Sequence, residues 1–277
     1  MKIIALVDGS IYAHSVCELA GWAGARLGAG VELLHVLGRR EGGEQDLSGS
    51  IRLGARSALL KELAELDAQR AKLVTYRGRA ILEDAKAVLA EAGVTEATTR
   101  LRHGDLMEEM GQDFELIVIG KRGEAADFAK GHLGSNLERI VRGAKTPVLV
   151  AARAFAPVTR VLVAYDGGAS ALRAIDHVAH SALYKGLAVT VVSVGEGAAT
   201  RSALADVQAR LRAAGVEAET VMVTGQTEVA LGKLVEDEGF QMLVMGAYGH
   251  SRIRSLIIGS TTTAMIRSCK VPVMLVR

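Results

Sequence analysis

Residues 246–261, GAYGHSRIRSLIIGST, combine residue types that suit the holding of a polyanion. Gly246 and Gly249 lack the side chains that would keep a phosphate away from the backbone. Gly259, Ser260 and Thr261 place hydroxyls and free N–H groups where a helix would begin, and the dipole of a helix N-terminus favours an anion. His250, Arg252 and Arg254 add donors and positive charge, and no Asp or Glu interrupts the loop. His250 is either a phosphate contact or a surface loop residue, whereas the two arginines read as solvated loop charges and stay outside the site. Strand-to-helix turns also collect Gly and Ser for turn geometry and capping alone. The loop by itself therefore leaves ligand and turn as equal readings.

The elements that must position this loop repeat along the chain. The apolar run 241–245 precedes it, short enough for a strand buried on both faces. Residues 2–7 form a β-branched run ending in Asp8-Gly9-Ser10, followed by an amphipathic stretch over 13–27 and a second strand over 31–37. Residues 51–92 carry apolar residues at helical spacing and predict one long helix or two consecutive ones. Strands are expected over 97–102, 116–119 and 147–151. After a linker around Pro157 the order begins again, with the strand before Asp166-Gly167-Gly168 matching the one before Asp8. Runs 187–194, 221–225, 242–246 and 270–276 then mirror their first-half counterparts. Two copies of one unit explain such register, and the β-α alternation predicts a parallel sheet with helices on both faces.

Bulk composition excludes several function classes. At 277 residues and 49% hydrophobic content the chain can bury substantial cores, but with 4% aromatics those cores are aliphatic and offer no base-stacking platforms. A net charge of +2 with mixed signs gives no footprint for nucleic acid or for an anionic membrane. Cys17 and Cys269 lie far apart and read as small buried hydrophobes; His14 and Cys17 at helical spacing read as a helix face and not as a metal site. No metal site and no catalytic residue is assigned. Asp8 interrupts the N-terminal apolar run too early for a signal peptide, so the cytoplasm is the expected location.

Each copy resembles a universal stress protein domain: a first strand ending in Asp-Gly-Ser, then Gly-x2-Gly-x9-Gly-(Ser/Thr), then a Pro-Val-x-Val strand. The second copy meets the glycine pattern in full with Gly246, Gly249, Gly259 and Ser260. The resemblance implies two repeated Rossmann-like α/β domains of the adenine-nucleotide alpha-hydrolase type, 1–153 and 158–277, each an open five-stranded parallel sheet. It further implies an adenine nucleotide (ATP, ADP or AMP, with Mg2+ bridging the phosphates) at the carboxyl ends of the strands. Asp166 would then contact the adenosine, or form an Asx turn, or both. Val194 would offer backbone groups to the adenine edge, and Gly225 would admit ribose or phosphate.

In the first copy the loop is GKRGEAADFAKGHLGS, with ten residues between Gly123 and Gly134 instead of nine. Glu124 and Asp127 stand where phosphate would approach, offset by Lys121, Arg122 and Lys130. Asp8, Val36, Gly120, Gly123, Gly134 and Ser135 are the candidate second site, with the second copy expected to bind and the first to be altered or regulatory. The implied role is a nucleotide-binding regulatory protein of the stress response that hydrolyses ATP slowly at most, with an unidentified protein partner. A ligand-free interaction scaffold is the alternative. So is a nucleotide-dependent enzyme, although the Ser-Gly-Gly-x-Asp-Ser, Gly-x-Gly-x-x-Gly and Gly-x4-Gly-Lys-(Ser/Thr) signatures are absent. The final strands of the halves are expected to meet across a pseudo-dyad. The 51–92 helix is the expected surface for homodimerisation or for covering the first site.

Overall fold

The computed structural model describes residues 1–38, 56–123, 133–247 and 259–277. The first half runs β1 (Lys2–Leu6), α1 (Ala13–Leu27), β2 (Gly30–Leu37), α2 (Arg56–Glu91), β3 (Ala97–His103), α3 (Leu106–Met110), β4 (Leu116–Gly120), α4 (Ser135–Gly143) and β5 (Val148–Ala151). The second half repeats it: β6 (Arg160–Ala164), α5 (Ala169–His180), β7 (Ala188–Val194), α6 (Ala198–Ala213), β8 (Ala218–Val223), α7 (Thr227–Asp237), β9 (Met242–Gly246), α8 (Ser260–Ser268) and β10 (Val273–Val276). A 3-10 turn, Ala182–Tyr184, follows α5.

The strands form one ten-stranded sheet in the order β3-β2-β1-β4-β5-β10-β9-β6-β7-β8. Pairing is parallel within each half, and the halves join where β5 and β10 run antiparallel, Leu149 opposite Met274. Two strand edges that would otherwise be open thereby satisfy each other. The final strands do meet, as the resemblance implies. Each strand begins after its proline, which has no N–H to give. Pro147 and Pro272 still enter the ladder through their carbonyls, which accept from Ile117 and Leu243 at 3.1 and 3.0 Å.

Alternate side chains along the strands feed two cores. Ile3, Ala5 and Val7 face α1, α5, α6 and the C-terminal part of α2, while Ile4 and Leu6 face α3, α4, α7 and α8. Both cores run through both halves. Residues 56–91 form one continuous helix. Strand β8 begins at Ala218, three residues ahead of the run expected at 221, because the polar Glu219 and Thr220 interrupt the apolar pattern of this edge strand.

Two cations tie the halves together at their last helices. The ammonium of Lys121, just past β4, is buried and donates to the carbonyl of Cys269, the C-cap of α8. Arg277, just past β10, donates from Nη1 to the carbonyls of Arg142 at 2.6 Å and Ala144 at 3.5 Å, at the end of α4. Each half thus supplies a positive charge to the negative end of a helix in the other. Burial pulls the Lys121 ammonium below the usual lysine range, with Arg122 adding to the effect.

Candidate functional site

A cleft of about 670 Å³ opens at the carboxyl ends of the first-half strands. Val7, Asp8 and Ser10 enter it from the end of β1, His35 and Val36 from β2, and Gly104 and Asp105 from beyond β3. Gly120, Arg122 and Gly123 follow β4, and the start of α4 closes the far wall. All six residues expected of the first-half site, Asp8, Val36, Gly120, Gly123, Gly134 and Ser135, line this one cleft. Its volume lies within the range of small-molecule sites, about 300–1,000 Å³.

The aspartates make the turn that their sequence position allows. Asp8 Oδ1 accepts from Ser10 N at 3.0 Å, and Asp166 Oδ1 accepts from Gly168 N at 2.8 Å. Such an Asx turn fixes the chain direction after the strand. Beside Asp8, His35 Nδ1 donates to the Val7 carbonyl at 2.8 Å, pinning the ends of β1 and β2 together.

The glycines divide by purpose. A Cβ on Gly246 would stand 2.5 Å from Ser170 Oγ and 2.8 Å from Ser170 backbone carbon, and one on Gly120 would stand 2.7 Å from Tyr12 Cβ. These two glycines admit the start of the helix that follows β6 or β1. The expectation that Gly246 is bare for a phosphate is corrected to that extent: helix packing already requires it. Gly123 differs, since a Cβ there would lie 2.9 Å from Asp8 Oδ2 and close the approach between aspartate and loop. Gly104 and Gly225 share positive φ, +135° and +112°, a conformation that L side chains rarely adopt and that turns the chain at matching strand ends.

Helices α4 and α8 each begin on a glycine N-cap, Gly134 and Gly259, with no side-chain capping bond. Their first-turn N–H groups, with the exposed hydroxyls of Ser135 and Ser260, form a donor set at a positive helix end. Helix α3 contrasts with them, because Asp105 caps it by accepting from Met107 N at 2.9 Å. Thr261 is half-buried in the first turn of α8. Thr262 is fully buried and donates to the Ala247 carbonyl at 3.3 Å, holding that turn against the end of β9.

Charge in the first cleft is more balanced than its loop suggests. Arg139 Nη2 meets Asp105 Oδ2 at 2.7 Å, and that bond holds the Asp105 carboxyl below its ordinary range. Arg122 lines the cleft, but Lys121 does not, because its ammonium crosses to Cys269. Lys121 therefore cannot offset acidic loop residues, and that expectation is corrected. Glu124, Asp127, Lys130, Gly249, His250, Arg252 and Arg254 lie outside the described residues. In the second half the structure brings Asp166, Val194, Gly225, Gly246, Gly259, Ser260 and Thr261 to the corresponding strand and helix ends.

Tyr12, His35 and Arg139 line the first cleft without having been singled out in the sequence. Only their closeness to Asp8, Val36 and Ser135 along the chain signalled them. Cys17 and Cys269 are both free and buried, and burial pushes the Cys17 thiol up to about 12. Among the described residues no three His, Cys, Asp or Glu side chains are grouped to hold a metal ion.

Comparison with known proteins agrees with the duplicated architecture. A family model described as the universal stress protein family matches residues 1–152 and again 157–277. Universal stress protein Slr1230 of Synechocystis sp. is 37% identical over 285 residues, covering 100% of this chain and 99% of that protein. Universal stress protein MJ0577 of Methanocaldococcus jannaschii is 25% identical over 77 residues, 28% of this chain and 48% of its own length. Among solved structures, a universal stress protein from Archaeoglobus fulgidus superposes with a TM-score of 0.70 at 22% identity, covering 100% of this chain and 98% of that one. The chain belongs to the universal stress protein family, whose model it matches in two tandem segments.

Proposed function

We propose that this protein binds an adenine nucleotide at the carboxyl edge of its sheet and acts as a regulator in the cytoplasm, with slow hydrolysis at most. One observation carries the reading. The same constellation is built twice: an Asx-turn aspartate, a positive-φ glycine at the end of the strand two places away in the sheet, and a helix N-terminus without a side-chain cap. Adenosine would lie against Asp166 and the end of β7 at Val194, with phosphates on the first turn of α8. Gly249 and His250 would complete that site. We assign the tighter site to the second half, because its glycine spacing is complete, and a weaker one to the first-half cleft with Asp8, Val36 and Ser135. Mg2+ would bridge the phosphates, with the nucleotide supplying most of its ligands.

Equilibrium dialysis with ATP and magnesium tests this reading. Wild type should bind with a stoichiometry between one and two; Asp166→Ala should weaken the tighter site at least tenfold, and Asp8→Ala should affect only the weaker one. Absence of binding, together with no adenine nucleotide released on denaturing freshly purified protein, would support the interaction scaffold instead.

A further inference from the structure

Helix α2 is 36 residues long, about 54 Å, yet the eight-residue strand β2 on which it lies spans only about 26 Å. The helix meets the sheet at Gly78, where a Cβ would stand 2.8 Å from Leu101 Cδ1 and 3.1 Å from His35 Cδ2. From there to its C-terminus it contributes Leu82, Ala85 and Leu89 to the core. Residues 59–77, ahead of that contact, include no buried residue. They form an arm that overhangs the carboxyl ends of the strands.

This arm carries an apolar seam that no buried core residue covers among the described residues. Leu59, Leu66 and Leu73 recur at intervals of seven and are 40%, 55% and 68% exposed, and Leu63 falls on the same side. An isolated helical stretch of this length is marginal in water, so the seam calls for a tertiary contact. Its charges indicate which contact. The first part, 59–68, holds Glu62, Glu65 and Asp67 against one Lys61, whereas 69–79 holds Arg70, Lys72, Arg77 and Arg79 with no acid. The helix dipole does not account for this division, because α2 continues through Glu83 and Asp84 to residue 91.

We infer that two copies of this chain associate by pairing these arms antiparallel about a centre near Ala68. In that register Leu63 lies opposite the partner's Leu73 and Leu66 opposite the aliphatic stem of its Arg70. Glu65 and Asp67 come within a turn of Lys72 and Arg70 on the other arm. A parallel pair would set Arg70 against Arg70 and acids against acids. The self-complementary pattern closes as a two-fold dimer, and it leaves both fused sheets intact.

Sedimentation velocity on the full chain at micromolar concentration tests this. Wild type should sediment as a dimer, and Leu66→Glu/Leu73→Glu as a monomer whose fused sheets still unfold cooperatively, since both side chains are exposed and lie outside the two cores. Glu62→Lys/Glu65→Lys/Asp67→Lys and Arg70→Glu/Lys72→Glu should each be monomeric and should form a dimer when mixed in equal amounts. For orientation, Glu65→Cys/Lys72→Cys should oxidise to a covalent dimer, whereas Glu65→Cys alone should not. A monomeric wild type, a dimer that survives the double leucine variant, or self-cross-linking by Glu65→Cys would each overturn the proposal. So would a wild-type monomer that dimerises only after deletion of residues 39–55, which would assign the seam to the chain itself.

Discussion

Gly246→Ala should destabilise the protein by about 2–3 kcal/mol and lower its melting temperature by roughly 5–10 °C. The added methyl would lie 2.5 Å from Ser170 Oγ and, more seriously, 2.8 Å from a Ser170 backbone carbon that no side-chain rotation can move. Relief requires shifting the first turn of α5 away from β9. Gly232→Ala is the control, because it sits inside α7 with nothing within 4 Å of the new methyl. It should gain roughly 0.5–1 kcal/mol from helix propensity. Since the Gly246 effect comes from packing, its melting shift should be the same with and without ATP. A Gly246→Ala protein that melts with wild type yet loses nucleotide would return this glycine to the ligand.

Acid should weaken the fold through His177, and the loss should reach about 3 kcal/mol. His177 Nε2 is buried without a hydrogen-bond partner among the described residues, and its ring meets Tyr184 edge-on at 5.5 Å. Burial pulls its pKa from 6.5 down to about 4. In the window between those values the unfolded chain holds a proton that the folded chain refuses. Stability contributed above pH 6.5 is therefore lost progressively as pH falls towards 4 and is fully lost below that. Urea unfolding of wild type and His177→Phe at several pH values between 7.5 and 4 isolates the effect, because other carboxylates titrate alike in both. The difference between the two should change by about 3 kcal/mol across the window; parallel curves would show that His177 takes up its proton without cost.

Much of this architecture is legible in the sequence because the central strands are buried on both faces. Met242–Gly246 and Leu116–Gly120 read as unbroken apolar runs and fold as such. The edge strand β8 is less legible: it is only partly buried and opens on polar residues, so Glu219 and Thr220 resemble loop. The aspartate turns at Asp8 and Asp166 follow from local chemistry alone, since the bond closes two residues on. The surroundings of Lys121 and Gly246 are illegible in the sequence for a common reason. A sequence shows that a charge is present or a side chain absent, but not that the deciding neighbour is a carbonyl 148 residues away or a serine on a helix far earlier in the chain.

The most direct test of nucleotide binding is a crystal structure of the protein grown with excess ATP and magnesium. A nucleotide should appear with its phosphates on the amides of Gly259, Ser260 and Thr261 and its adenosine beside Asp166 and Val194. An empty carboxyl edge in both halves, or a nucleotide held away from these residues, would contradict the proposed site.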